Sequence, residues 1–188
     1  MTNFYAPSYT LGVIPTNAID PDKQTFDTIQ QMRSIVRRSI NDPQMIELTK
    51  QVLKGVSLMD DVAVACRIFY WIKANIAFVE DSVLSNQYLG SNQDPNGQDF
   101  LVTPIRLVTV DRKGDCDDFS MLAATMLDII GIECKFVTIA ADGRNPNIFS
   151  HVYVTAKINN NWIGFDTSHG KSPGWEYNKA TRYQAWNI

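Results

Sequence analysis

At 188 residues, 45% hydrophobic and 20% charged, the chain is sized for one globular domain that can bury a core. Its 17 Lys and Arg against 20 Asp and Glu leave a net charge of −3, which argues against nucleic acid as a partner; Arg37-Arg38 is a pair, not a patch. No run approaches the ~18 apolar residues of a membrane span, the N-terminus does not read as a secretion signal, and Cys66, Cys116 and Cys134 form no C-x-x-C pair, so a reducing, cytoplasmic location is expected.

Residues 1–20 read as an N-terminal extension, with Leu11 to Ile14 as a candidate edge strand, and 21–188 as a single domain with its core at about 60–170. Asp20-Pro21 predicts a capped helix start, and Phe26, Ile29, Arg33, Val36 and Ile40 follow at helical spacing. Asn41-Asp42-Pro43 ends that helix and opens a second, carrying Met45, Leu48, Val52 and Leu53 up to Gly55. A third helix is expected from Met59 to about Ile76, with Val62, Cys66, Phe69 and Ile72 in one stripe and most other positions apolar, so burial on several sides is expected and Cys66 reads as core.

Residues 80–104 read as a long polar loop with a turn at Asp94-Pro95-Asn96-Gly97. Asp94, Asn96, Gln98 and Asp99 faintly resemble a calcium loop, but the glycine and a terminal glutamate are misplaced, so no metal is expected. A short element from Pro104 to Val110 leads to a fourth helix over about Cys116–Ile130, ended by Gly131. Strands are predicted at 134–140, 151–157 and 162–167, the last two joined by a hairpin at Asn159-Asn160-Asn161. Helices followed by an antiparallel sheet make an α+β layout.

Three separated residues carry the chemistry. Cys116 stands where the loop ends and the helix begins, and a helix N-terminus favours thiolate through its unpaired N–H groups and positive dipole end. Those same groups can hold an oxyanion. Asp115, Asp117 and Asp118 oppose the thiolate by proximity, although they also suit a helix start, Asp115 as N-cap. His151 begins one strand of the hairpin and Asp166 ends the other, so both fall at one end of the sheet, on faces that can match. An imidazolium paired with the thiolate and oriented by a carboxylate is the arrangement a thiol nucleophile needs. Each residue also has a plain reading, as buried cysteine, core histidine or turn-capping aspartate, and His169 is a rival histidine.

The blocks Gly114-Asp115-Cys116-Asp117-Asp118-Phe119-Ser120, Leu122-Ala123-Ala124, Gly131-Ile132, His151-Val152-Tyr153-Val154 and Trp162 to Thr167 resemble the core of the transglutaminase-like superfamily, over roughly 60–170. The short form is similar to bacterial and phage-associated transglutaminase-like cysteine peptidases. The resemblance implies a papain-like α+β core, Cys116 as nucleophile, His151 as general base and acid, and Asp166 as orienting residue. It also implies attack on a peptide or carboxamide carbonyl through an acyl-thioester, without fixing the acceptor; the reading adopted is a hydrolytic enzyme rather than a cross-linking one, with a protein or peptide substrate and no cofactor. The alternatives are a protein-glutamine cross-linking enzyme, an inactive binding or structural module of a virion or other assembly, and a metal site built on Cys116, the aspartates and a histidine. Gln98 and Gln87 are weak candidates for an oxyanion donor.

Overall fold

Aspartates start the first three helices. A computed structural model describes residues 11–15, 20–83 and 98–188, with side-chain surroundings for 20–83 and 100–188. The Asp20 carboxylate accepts from the N–H groups of Asp22 and Lys23 and opens α1 (Pro21–Ser39). Asp42 opens α2 (Pro43–Val52) by accepting from Gln44 N–H, and Asp60 opens α3 (Asp61–Asn75) by accepting from Ala63 N–H. Both X-Pro starts expected from the sequence are therefore real caps.

The buried faces differ from the predicted stripes. On α1 the core residues are Ile29, Met32, Ile35 and Val36, while Phe26 is exposed and packs on Trp186 with ring centroids 6.1 Å apart. On α3 they are Val64, Ala65, Ile68, Phe69 and Ile72. Val62 and Tyr70 lie about half exposed, and Cys66 is partly exposed rather than core. In a helix apolar nearly all round, spacing alone does not say which side turns inward. Burial on several sides, expected of α3, occurs instead on the helix that carries Cys116.

After α3 come β2 (Ala77–Phe78), β3 (Gln98–Val102), α4 (Pro104–Arg106) continuing into a π-helical turn at Leu107–Asp111, and β4 (Lys113–Gly114). The predicted 80–104 loop is thus too long: β3 pairs antiparallel with β1 (Leu11–Pro15), and Phe100, Leu101 and Val102 are fully buried. The turn at 94–97, the calcium-like set, Gln87 and the Gln98 side chain lie outside the described residues. β2 and β4 form a short parallel pair that ties the end of α3 to the residues before Cys116.

The main sheet has the order β7-β6-β5-β8, antiparallel throughout, from β5 (Cys134–Ile139), β6 (His151–Ile158), β7 (Asn161–Phe165) and β8 (Tyr183–Asn187). Asn159 and Asn160 turn the β6–β7 hairpin with φ of 48° and 63°, left-handed values that asparagine tolerates and that suit a two-residue turn. The strands predicted from the sequence do not include β8. α5 (Cys116–Ile129) is the hub: every residue from Asp117 to Leu127 is buried, between α1, α2 and α3 and the β5–β6 side of the sheet. Each large apolar side chain enclosed there contributes about 1.5–3 kcal/mol. The result is the α+β layout expected from the sequence.

Candidate active site

His151 and Asp166 meet as the hairpin predicts. Thr155 pairs with Gly164 in the β6–β7 register, which puts the odd-numbered residues of β6 and the even-numbered ones following β7 on one face. His151 Nε2 lies 2.8 Å from Asp166 Oδ2. The other carboxylate oxygen, Oδ1, accepts from Ser168 N–H at 3.0 Å, Ser168 O–H at 2.7 Å and His169 N–H at 2.9 Å. Gly170 N–H closes this turn on the Asp166 carbonyl, and a methyl group at Gly170 would sit 2.3 Å from that oxygen, so the turn needs glycine.

Burial tends to raise the pKa of Asp166, but the bond and charge of His151, with His169 N–H and Ser168, outweigh it and hold the acid at about 2. A carboxylate facing Nε2 makes that nitrogen the N–H of a neutral imidazole and leaves Nδ1 as the acceptor. His169, the rival histidine, stands edge-on to the His151 ring with centroids 4.9 Å apart, and edge-on to Phe78 at 4.7 Å. Its pKa is lowered, first by burial and then by the charge of His151. The predicted preference for His151 matches the pairing with Asp166, but His169 belongs to the same cluster.

Cys116 is the first residue of α5, and Asp115 caps that helix by accepting from Asp117 N–H. Cys116 and His151 line one cleft of about 280 Å³ between α1 and the segment 148–152. The Ser120 hydroxyl lies 2.6 Å from the Cys116 carbonyl and 3.1 Å from that of Val152, so it links the first turn of α5 to the start of β6, beside His151. Cys134 is buried and its thiol is pushed up to about 12 by burial, then by the charges of Asp128 and Glu133.

The three acids beside Cys116 are not a solvated helix start. Asp118 is fully buried and its Oδ1 accepts from Val102 N–H at 2.7 Å, while Asp81 accepts from Phe100 N–H, so two carboxylates hold alternate N–H groups of β3. A methyl group at Gly114 would sit 2.3 Å from Asp118 Oδ2, so the glycine makes room for this acid. Burial raises the pKa of Asp118 well above the carboxylate range, with the Asp115 charge adding to it, and burial also raises Asp115. Acids held toward their neutral forms weaken the opposition to a thiolate at Cys116. The sequence pattern carries no sign of this, because the strand that Asp118 holds reads there as loop.

Two groups, His151-Asp166-His169 and Asp115-Asp117-Asp118, bring three ligand atoms within 4.8 Å of one another among the described residues, and neither contains Cys116. The set of Cys116, aspartate and histidine considered as a metal site is therefore split between two places. In the first group both Asp166 oxygens are already engaged by hydrogen bonds.

A family model described as the transglutaminase-like superfamily matches residues 48–167, which span α2 to the turn after β7 and include Cys116, His151 and Asp166. The chain belongs to the transglutaminase-like superfamily. Among solved structures it is similar to a candidate cysteine protease from Cytophaga hutchinsonii, at 17% identity and a TM-score of 0.49, over 93% of this chain and 61% of that one. A candidate protease from Parabacteroides distasonis is similar at 12% identity and 0.49, over 78% of this chain and 26% of that one. A TGase is similar at 14% and 0.42, over 87% and 37%. The chain thus spans less than two thirds of each of these structures. No curated protein matches it. Among the described residues, no helix of this superfamily member is long and apolar enough to cross a membrane.

Proposed function

We propose that this chain is a thiol-dependent acyl-transfer enzyme that hydrolyses a peptide or carboxamide bond, with Cys116 as nucleophile, His151 as general base and acid, and Asp166 as the residue that orients the imidazole. The observation that carries this reading is the His151–Asp166 contact of 2.8 Å at a cleft that Cys116 also lines from a helix N-terminus.

In this mechanism His151 takes the Cys116 proton at Nδ1, and the imidazolium is stabilised by Asp166 through Nε2–H. The thiolate attacks the carbonyl carbon, and the oxyanion develops near the backbone N–H groups of the first turn of α5. Nδ1–H then protonates the leaving nitrogen as the C–N bond breaks, giving an acyl-thioester and a free amine or ammonia. Water, deprotonated by Nδ1, attacks the thioester, and the carboxylic acid leaves as Cys116 recovers its proton. Water is the acceptor in this proposal, and a cross-linking amine is the alternative. The substrate is a protein or peptide, met in a reducing compartment where the thiol stays free.

Timed alkylation with iodoacetamide, read by peptide mass spectrometry near pH 7, tests the proposal. Cys116 should react well ahead of Cys66 and Cys134, and His151→Ala should slow it about 10²-fold or more. Equal, slow labelling of all three thiols would overturn it. Incorporation of a fluorescent primary amine into casein, in place of hydrolysis, would redirect the reading to cross-linking.

A further inference from the structure

The cleft beside Cys116 has two banks. One is the start of α1, which contributes Gln24, Thr25 and Thr28; the other is the end of the segment 141–150, with Ile148 and Phe149. α1 lies N-terminal to residues 48–167, so this bank stands outside the segment that the superfamily model matches. No Lys or Arg lines the cleft among the described residues, whereas Asp115 and Asp117 do.

One side chain holds both banks. Arg182 Nη1 and Nη2 donate to Asp22 Oδ1 and Oδ2 at 2.6 and 2.9 Å, a two-pronged contact at the first turn of α1. Nη1 also donates to the Asn147 carbonyl at 3.0 Å, and the guanidinium lies 4.2 Å from the centroid of the Phe149 ring. The arginine is itself held: Ala140 N–H donates to its carbonyl at 3.0 Å, and the neighbouring Thr181 hydroxyl donates to the Pro146 carbonyl. Asp22 carries a lowered pKa, through the hydrogen bond from Arg182 first.

We propose that Arg182 is a positioning residue that clamps α1 to the 141–150 segment and so sets the width of the cleft for a peptide segment. The inference rests on the reading of Cys116 as nucleophile. An ion pair this exposed adds little to global stability, so its removal should leave the fold intact while freeing the two banks. Lysine would not replace it, because an ammonium lacks the planar fork that spans both Asp22 oxygens.

The test compares two reagents for Cys116 in wild type, Arg182→Ala and Asp22→Asn. Iodoacetamide needs the thiolate alone; a dipeptidyl acyloxymethyl ketone with uncharged side chains also needs the cleft. Arg182→Ala should leave the iodoacetamide rate within about twofold and raise the KI of the ketone about tenfold with little change in its limiting rate. Asp22→Asn should reproduce part of the loss, and the double variant should add little to Arg182→Ala. Amide hydrogen exchange should quicken at 21–28 and 144–150 in Arg182→Ala. An unchanged KI with unchanged exchange would overturn the clamp, as would equal loss toward both reagents, which would put Arg182 in the service of the thiolate instead. If wild-type Cys116 reacts selectively with neither reagent, the proposed function fails, and exchange alone decides the clamp.

Discussion

Two buried aspartates, Asp166 and Asp118, carry opposite pH signatures. Asp166, held at about 2, is ionised when the chain is folded at any pH above that, whereas its unfolded pKa is near 4. A depressed folded pKa contributes stability above the unfolded value and loses it as pH falls through the folded one. Roughly 2 kcal/mol should therefore vanish between about pH 4 and pH 2, and urea unfolding of Asp166→Ala should show a flatter acid limb than wild type. Asp118 has the reverse sign, because burial raises its folded pKa. Its contribution is most favourable below about pH 4 and declines as pH rises toward the folded value. In Asp118→Asn the same unfolding series should lose that decline, and an identical pH slope in both proteins would refute the assignment. The role of Asp118 was hidden in the sequence, where Asp115, Asp117 and Asp118 read alike as acids at a helix start.

At the scale of elements, the site depends on how α5 is held against β6. Ser120 forms that link with the carbonyls of Cys116 and Val152. Ser120→Ala should cost about 1 kcal/mol in urea unfolding and about tenfold in Cys116 reactivity, since small misplacements of a nucleophile are expensive. A loss of stability with no loss of reactivity would make the link structural alone. The capped helix starts and the β6–β7 hairpin were legible because local rules govern them: Asp-Pro pairs, a Gly-ended helix, and asparagines able to take positive φ. The inward side of α3 was not, since Val62 and Cys66 fit the helical period as well as Val64 and Ala65 do. β3 and β8 escaped because each is five residues long and is fixed by distant partners, β1 for one and β5 for the other.

Across the whole molecule, the matched segment 48–167 is less than the folding unit. α1 precedes it and buries Ile29, Met32, Ile35 and Val36 against the core, and β8 follows it and completes the sheet, with Trp186 Nε1–H donating to Thr138 Oγ1 at 2.9 Å. A fragment spanning 48–167 should therefore fail to unfold cooperatively, exposing α5 and the β5 edge. In the full chain, Met32→Ala should cost about 2–5 kcal/mol, read as a lowered urea midpoint. Cooperative unfolding of the fragment with a wild-type midpoint would show that α1 and β8 are accessories. The pairing of His151 with Asp166 was readable over this span because the two ends of one hairpin fall together; the sides of the cleft were not, because α1 reaches them only through tertiary packing.

The Asp166 side chain also limits which residue can replace it. One of its oxygens receives three donors and the other receives His151. An asparagine has a single acceptor oxygen. Turned toward His151, it would press its NH2 group onto the Ser168 and His169 donors; turned away, it would set that group against Nε2–H. Papain-like proteases work with a Cys-His-Asn set. Here an asparagine would keep all of these donors satisfied only if the turn from Asp166 to Gly170 were rebuilt at the same time.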